Sequence, residues 1–196
     1  MPAAAPPAPA IYQLLGFPGT GKYTIARQIV TQLGARGRTA KLLDNHATAN
    51  LIFDLAPVED RFSATSTGHI HTIRGAVLQA IEDLSPPDWS FVFTNFIPPT
   101  ATMTTPDRHR DLAQRRRVPF VGVQLACDRE ELLRRVVGDD RAGRLKLVDP
   151  VRTEEVLAEG TVLPTWPDLA TLDVTHLSPA DAAAAVIALT PHLPAG

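Results

Sequence analysis

Short apolar runs alternate with amphipathic stretches along this chain of 196 residues. The amphipathic stretches carry apolar residues at helical spacing, most clearly between residues 70 and 84. The apolar runs have the length of buried strands and are rich in β-branched and aromatic residues. Strands that alternate with helices predict an α/β fold, in which helices cover both faces of a parallel sheet. We assign strands to residues 11–15, 39–43, 89–94, 118–126 and 170–174.

Three segments depart from this alternation. Residues 1–10 are rich in alanine and proline, and we expect a disordered tail there, followed by a single domain over residues 11–196. Residues 45–66 and 95–104 show no regular period, so we expect less regular structure in both. These two segments either line a substrate pocket or simply connect neighbouring elements.

The composition and charge exclude several classes of function. Hydrophobic residues make up 44% of the chain and charged residues 20%, which is ordinary for a globular protein. A formal net charge of −2 gives no electrostatic footprint for nucleic acid or for an acidic membrane. No apolar run reaches the length of a membrane span, and residues 1–10 lack the features of a signal peptide. The single cysteine, Cys127, fits a reducing cytosol, so we predict a cytoplasmic protein.

A glycine-rich run joins the first predicted strand to the first predicted helix. Residues 16–24 read Gly-Phe-Pro-Gly-Thr-Gly-Lys-Tyr-Thr. Backbone amides in such a turn surround phosphate oxygens, and the helix dipole and the charge of Lys22 both favour an anion. The run therefore predicts a phosphate-binding loop rather than a plain turn between strand and helix. We assign nucleotide contacts to Gly16, Pro18, Gly19, Thr20, Gly21, Lys22, Tyr23 and Thr24.

One position in this loop departs from the general pattern and points to a family. The general pattern has serine or threonine directly after the lysine to hold Mg²⁺, whereas this chain has Tyr23 followed by Thr24. The variant Gly-x-Pro-Gly-x-Gly-Lys-x-Thr resembles the phosphate loop of the adenylate-kinase-like nucleoside monophosphate kinases. The resemblance implies ATP as the nucleotide, Mg²⁺ held largely through water, and a three-layer P-loop kinase fold with strand order 2-3-1-4-5. The candidates for holding the metal are Thr24 and Asp44.

Asp44 ends the second predicted strand, at the edge of the sheet that also carries the glycine-rich loop. A carboxylate there can accept the proton of an attacking hydroxyl or hold a water molecule on Mg²⁺. Its position resembles that of the acceptor-binding aspartate in shikimate kinase, gluconate kinase and chloramphenicol phosphotransferase. The alternative is that Asp44 only caps the segment that follows. The further candidates for acceptor contacts are Asn45, His46, Arg74 and Asn95.

An arginine-rich segment follows the fourth predicted strand. Residues 132–146 read Leu-Leu-Arg-Arg-Val-Val-Gly-Asp-Asp-Arg-Ala-Gly-Arg-Leu-Lys and resemble the lid of nucleoside monophosphate kinases. The resemblance implies a lid over residues 138–150, whose arginines close over the phosphates and exclude water. The alternative is an exposed basic helix end. We assign Arg141 to catalysis and Arg135 and Arg144 to the nucleotide.

The loop after the last strand runs beside the adenine ring in the kinases that this chain resembles. That resemblance adds Ser178 and Pro179 to the predicted nucleotide contacts. The third predicted strand ends in Thr94-Asn95 instead of an acidic residue, which weakens an assignment as a motor or helicase. The Asn-Lys-x-Asp sequence typical of guanine specificity is absent, and nothing in the sequence indicates an oligomeric state.

Together these features favour an ATP-dependent kinase that phosphorylates a hydroxyl group of a small metabolite or a natural-product antibiotic. In this hypothesis Lys22 bridges the β- and γ-phosphates, Asp44 deprotonates the acceptor, and Arg141 belongs to the closing lid. Two alternatives stay open. The acceptor is a nucleoside monophosphate, or the protein is a nucleotide-binding regulator without transfer activity.

Overall fold

The strands form where the apolar runs occur. A computed structural model describes residues 7–99, 105–136 and 150–191. Within these ranges, five parallel strands form one sheet in the order β2-β3-β1-β4-β5, which confirms the predicted fold and strand order. The strands are β1 (Ile11–Leu15), β2 (Ala40–Asp44), β3 (Ser90–Asn95), β4 (Phe120–Ala126) and β5 (Ala170–Asp173).

Helices connect the strands. In the described part of the chain, none of the helices combines the length and the apolar character that crossing a membrane requires. A single 3₁₀ turn, Val58–Asp60, lies between the second and third helices. The helices within the described ranges are α1 (Lys22–Ala35), α2 (Asn45–Phe53), α3 (Ala64–Leu84), α4 (Thr105–Arg116), α5 (Arg129–Val136), α6 (Pro150–Glu159) and α7 (Pro179–Ala188).

The two faces of the sheet carry separate apolar cores. On one face, Tyr12 and Leu14 of β1 belong to a core that also contains buried side chains of α1 and α7. On the other face, Ile11 of β1 belongs to a core with buried side chains of α3 and α4. Successive side chains of a strand point to opposite faces, so Gln13 lies on the same face as Ile11. The buried side chain of Gln13 thus enters the layer between the sheet and α4.

The segment expected to be less regular, residues 45–66, is largely helical. α2 begins directly after β2 and runs for nine residues. Its apolar residues Ala49 and Phe53 stand four positions apart, on one side of the helix, and pack against Ile70 of α3. Tertiary packing against α3 therefore stabilises this helix. Its polar first residues leave too few apolar positions for a clear helical pattern in the sequence.

The tail expected over residues 1–10 is held to the sheet at its end. Ala10 is fully buried, and its amide donates to the side-chain oxygen of Ser90 at 3.1 Å. Its carbonyl accepts from the amide of Phe91 at 3.1 Å, and Arg38 donates to the carbonyl of Pro7 at 2.9 Å. The bond from Phe91 extends the pairing of β1 and β3 by one residue, and the bond from Arg38 holds Pro7, whereas we expected a disordered tail over residues 1–10. Residues 1–6 lie outside the described residues.

Candidate functional site

The glycine-rich loop between β1 and α1 has a conformation that depends on its glycines. Gly19 and Gly21 adopt positive φ angles of 100° and 85°, a region that residues with side chains rarely adopt. Gly21 occupies the N-cap of α1, and no side chain caps this helix. Helix N-termini that bind phosphate also present their first amide groups without a side-chain cap. The loop therefore has the local geometry of an anion site.

The ammonium group of Lys22 lies against the backbone of this loop. Its Nζ donates hydrogen bonds to the carbonyl oxygens of Gly16 at 2.6 Å and Phe17 at 2.7 Å. The buried Thr20 also donates its hydroxyl to the carbonyl of Phe17, at 2.9 Å. Thr24 is exposed in the first turn of α1. The nucleotide contacts assigned to residues 16–24 thus share one turn that carries a positive charge, and their contact with nucleotide stays a prediction.

Gly19 also lies close to α5, the helix that precedes the predicted lid. A Cβ atom at Gly19 would lie 2.9 Å from Cγ2 of Val136 and 3.1 Å from Cγ of Leu132. Gly19→Ala should therefore displace the loop from α5 and lower the free energy of unfolding by roughly 1–3 kcal/mol. We also expect the Kd for ATP to rise about tenfold, which corresponds to about 1.4 kcal/mol. Thermal unfolding and calorimetry measure the two effects.

Gly34→Ala is the matched control for this substitution. Gly34 lies within α1, and nothing lies within 4 Å of an added Cβ there. Alanine is the better helix former, so we expect stability to rise by about 0.5–1 kcal/mol and ATP affinity to stay unchanged. Equal ATP affinity of the Gly19→Ala and Gly34→Ala proteins would contradict the prediction that ATP binding requires this shape of the loop.

Asp44 ends β2 at the same edge of the sheet as the loop. It stands in register with Thr94 of β3, which stands in register with Leu14 of β1. Two spacings between strands separate Asp44 from β1, a distance of about 10 Å. Thr94 donates its hydroxyl to Oδ1 of Asp44 at 2.6 Å. The other carboxylate oxygen, Oδ2, accepts no hydrogen bond from any residue in the described ranges.

Asp44 has the position of a helix cap but does not make the hydrogen bond of one. Asp44 does occupy the N-cap position of α2, with φ −68° and ψ 139°, but its side chain makes no capping hydrogen bond. The first amide of α2, from Asn45, instead donates to the hydroxyl of Thr94 at 3.3 Å. Thr94 thus links the helix start to the carboxylate and orients Asp44 toward the sheet edge.

Two of the predicted acceptor contacts, Asn45 and Arg74, meet beside Asp44. Arg74 reaches from α3 and donates Nη2 hydrogen bonds to Oδ1 of Asn45 and to its backbone carbonyl, the latter at 3.3 Å. Its Nε donates to the hydroxyl of Thr48 at 3.1 Å. Asn95, at the end of β3, donates from Nδ2 to Oδ1 of Asn45 at 3.1 Å. The structure therefore brings together three of the four predicted acceptor residues besides Asp44.

Arg74 is a partly buried cation whose hydrogen-bond partners are neutral. Burial lowers the pKa of its guanidinium to about 10. No carboxylate forms an ion pair with it among the residues that the structure describes. Partial burial makes an anionic or strongly accepting partner favourable for this guanidinium, so the site suits a ligand that carries such a group.

A small cavity of about 30 Å³ lies among these side chains. Asp44, Asn45, Arg74 and Asn95 line it, whereas His46 lies outside its lining, in the first turn of α2. Sequence reasoning missed several lining residues that belong to three different elements. These are Thr48 of α2, Phe93 of β3, and Thr105 and His109 of α4.

The remaining predicted site residues lie in the segments around β5, at the opposite end of the strand order from β2, or outside the described ranges. Arg135 donates to Glu131 within α5 and to the carbonyl oxygens of Val174 and Thr175, at 3.0 and 2.9 Å. It therefore supports the loop after β5, and its contact with phosphate stays a prediction. Arg141, Arg144 and the predicted lid up to residue 149 lie outside the described residues.

Ser178 and Pro179 lie at the start of α7, in the predicted adenine loop. The Ser178 hydroxyl oxygen accepts a hydrogen bond from the amide of Asp181 at 3.1 Å, which makes Ser178 the N-cap of α7. Pro179 follows in the first turn, a position that proline favours. The observed role of both residues is to begin the helix, and their contact with adenine stays a prediction.

Comparisons with known proteins bear on the fold. No family model matches the chain, and no curated protein matches its sequence. The chain is similar to APS kinase CysC from Mycobacterium tuberculosis in complex with AMPPNP and APS, with a TM-score of 0.60, 20% identity and coverage of 94% of this chain and 98% of that one. It is also similar to a gluconokinase from Sinorhizobium meliloti 1021, with a TM-score of 0.56, 15% identity and coverage of 93% of each chain.

A third solved structure, shikimate kinase from Acinetobacter baumannii in complex with shikimate, has a TM-score of 0.52 and 20% identity. The match covers 95% of this chain and 94% of that one. The chain therefore has the P-loop kinase fold, in agreement with the resemblance that its glycine-rich loop predicts.

Proposed function

We propose that this protein transfers the γ-phosphoryl group of ATP to a hydroxyl group of a small molecule. The observation that carries the proposal is the arrangement of Asp44 at the sheet edge that bears the glycine-rich loop. Its carboxylate is oriented by Thr94 through Oδ1, while Oδ2 accepts no hydrogen bond within the described ranges. Asn45 and Arg74 stand beside it as groups that could hold an acceptor. Three solved structures with the same fold are named as kinases of small molecules.

The proposed reaction assigns one task to each of these side chains. Asn45 and Arg74 hold the acceptor so that its hydroxyl lies near Asp44. Oδ2 of Asp44 takes the hydroxyl proton as the acceptor oxygen bonds to the γ-phosphorus and the bond from that phosphorus to the ADP oxygen breaks. Lys22 offsets the negative charge that shifts onto the leaving phosphate. Positioning and charge stabilisation carry most of the rate, and closure of the segment with Arg141 belongs to the same proposal.

The residues near the loop also suit Mg²⁺, which prefers oxygen ligands and usually keeps several waters. Asp44 has one carboxylate oxygen without a partner in the described ranges, and Thr24 has an exposed hydroxyl. Thr24 would hold the ion directly or through water, and Asp44 would hold it only through a water molecule, because Oδ2 is the atom that takes the hydroxyl proton. When bound, Mg²⁺ would supply charge neutralisation for the phosphates.

A nucleoside monophosphate is the second candidate for the acceptor. The observation that favours it is the partly buried guanidinium of Arg74, which suits a phosphate group. The observation against it is the surrounding set of neutral polar groups, because Asn45, Thr48 and Asn95 add no further positive charge. A phosphate acceptor is usually bound by several cations.

The test is ADP release from ATP and Mg²⁺ with a panel of sugar acids, amino alcohols, antibiotics and nucleoside monophosphates. Turnover that depends on a hydroxyl compound supports the proposal, and turnover that depends on a monophosphate supports the second candidate. Tight ATP binding with no turnover on any acceptor would point to a regulator instead. Absence of ATP binding in calorimetry would overturn all three.

A further inference from the structure

A chain of buried hydrogen bonds runs from α4 to the acceptor side of the cavity. Nδ1 of His109 lies 2.5 Å from Oε1 of Gln13 in β1. Gln13 donates from Nε2 to Oδ1 of Asn95 at 3.1 Å, and Asn95 donates from Nδ2 to Oδ1 of Asn45 at 3.1 Å. Gln13 is fully buried, in a central strand where parallel sheets are ordinarily apolar. A buried carboxamide there is destabilising unless its polar atoms are paired, and this chain of bonds pairs them.

The direction of every bond in this chain follows from Arg74 at one end. Arg74 can only donate, so the atom of Asn45 that it contacts is the carbonyl oxygen. Asn95 must then donate to the same oxygen, which turns the carbonyl of Asn95 toward the NH₂ group of Gln13. The carbonyl of Gln13 is left to accept from His109, so Nδ1 of His109 carries the proton. Reversing one amide would bring two like groups into contact at one or both of the bonds that this amide makes.

His109 suits the end of such a chain because it stays neutral. Its ring stacks on Phe93 with the ring centroids 3.8 Å apart and an angle of 12°. Burial, with a contribution from the positive charge of Arg74, lowers the pKa of His109 to about 3. The charged groups that share its cavity are Arg74 of α3 and Asp44 of β2, which face it from opposite elements. At neutral pH the ring therefore donates from Nδ1 and carries no charge.

The fixed direction of these hydrogen bonds also fixes the orientation of the Asn45 amide, which faces the acceptor. With its carbonyl oxygen turned toward Arg74 and Asn95, its NH₂ group points the other way. That group makes no hydrogen bond within the described part of the chain, and it is not buried. We propose that Gln13 and His109 are positioning residues, which fix the amide of Asn45 so that an acceptor meets its NH₂ group beside the carboxylate of Asp44. The kinetic part of this inference rests on the proposed kinase function.

The carboxylate of Asp44 and the NH₂ group of Asn45 together select acceptors by their hydrogen-bonding pattern. The carboxylate of Asp44 accepts from the hydroxyl that reacts, and the NH₂ group of Asn45 donates to a second oxygen of the acceptor. The expected substrate class is therefore a compound with a further hydroxyl or carbonyl oxygen near the reacting hydroxyl. An analogue that lacks this second oxygen would leave the NH₂ group of Asn45 without a partner and should react more slowly.

Gln13→Glu tests the direction of the bonds while keeping the shape of the side chain. An ionised carboxylate can only accept, so it cannot donate to the carbonyl of Asn95, and the chain of bonds is broken at that point. We expect the KM for the acceptor to rise about tenfold and the KM for ATP to change less than about twofold. The variant should recover as the pH falls, because a protonated carboxyl has one donor and one acceptor, as the amide has. Burial raises the pKa of such a carboxyl, so recovery is expected between about pH 8 and about pH 6.

Tyr12→Phe is the matched control on the same strand. It removes a buried hydrogen bond of 2.8 Å between Tyr12 and Thr190, on the opposite face of the sheet. We expect a similar loss of stability and unchanged KM values for both substrates. A Gln13→Glu variant with the acceptor KM of the wild-type protein, or with the same pH dependence, overturns the positioning role. If Gln13→Glu does not fold, His109→Phe keeps the stacking on Phe93, and the same rise in acceptor KM is required of it.

The NMR spectrum of the wild-type protein tests the chain of bonds without any catalysis. The ring nitrogens of His109 should report a neutral imidazole with the proton on Nδ1 from about pH 5 to about pH 8. Titration within that range, or a proton on Nε2, overturns the inference whatever the protein phosphorylates. If the tautomer is as expected but the protein has no kinase activity, the hydrogen bonds are confirmed and the proposed function is wrong. Failure of the hydrogen-bond chain and failure of the proposed function are therefore distinguishable. The acceptor role of Asn45 would then be wrong.

Discussion

Replacing Lys22 with alanine is expected to lower kcat/KM for ATP by about 10²–10³-fold, which is the effect of removing one strong donor from a transition state. The ammonium of Lys22 lies 2.6 and 2.7 Å from the carbonyl oxygens of Gly16 and Phe17, so it is already held at the turn that would receive the phosphates. Alanine leaves the backbone of the loop intact and removes the charge. ADP release at saturating acceptor measures the loss of turnover, and calorimetry measures ATP affinity.

Lys41→Ala is the control for this change in charge. Lys41 is exposed on β2, where its Nζ lies 4.8 Å from the centre of the Trp89 ring. It has the same charge as Lys22 but does not belong to the loop, so we expect activity to stay within about twofold of the wild-type protein. Full activity of the Lys22→Ala protein would remove the assignment of residues 16–24 as the phosphate-binding loop.

The glycine-rich loop and the sheet around it could be predicted from the sequence because their signals are local. The apolar run of β1, the glycines at positive φ angles, and the helical spacing of α1 all lie within 25 consecutive positions, residues 11–35. The strand order follows from the resemblance of this loop to a known family and from the handedness of parallel crossovers. Asp44 could be placed at the correct edge for the same reason, because the carboxyl ends of parallel strands meet there.

The interior of the acceptor site could not be predicted because its contacts join distant parts of the chain. Gln13 and Asn95 are 82 positions apart, and Gln13 and His109 are 96 positions apart. No periodicity reports such pairs, and His109 looks like an ordinary polar position in a helix rich in arginine. One signal was present, since a polar Gln13 in the middle of an apolar strand requires a buried partner. The sequence could indicate that a partner exists but not which residue it is.

The same limit applies to the helix α2 within residues 45–66, which the sequence pattern does not predict. A helix of nine residues that begins with Asn-His and has only two buried positions gives little periodic signal. Its formation depends on Ile70 of α3, so the decisive contact lies outside the segment itself. Arg135 shows the converse effect, because its sequence context resembles a lid whereas its hydrogen bonds support the backbone of Val174 and Thr175.

Replacing Asp44 with asparagine is expected to separate phosphoryl transfer from nucleotide binding. Asparagine has the same shape, and its carbonyl oxygen can still accept the hydrogen bond that Thr94 donates at 2.6 Å. The variant loses only the charge and the ability to take a proton, so kcat should fall by about 10²–10⁴-fold, the usual contribution of a general base. The Kd for ATP without metal should change less than about threefold, because Lys22 and the loop backbone are untouched. Single-turnover transfer and calorimetry measure the two quantities.

Asp54→Asn removes the same charge from the other end of α2 and serves as the control. Asp54 is exposed and lies at the C-cap of that helix, nine residues from the start of α2 at Asn45. Because it is remote from the sheet edge, its loss should leave transfer within about twofold of the wild-type rate. Transfer that survives in the Asp44→Asn protein would mean that the carboxylate is not the base. The reaction would then rely on the charge of Lys22 and on positioning by Asn45 and Arg74, since the metaphosphate-like transition state needs little help from a base.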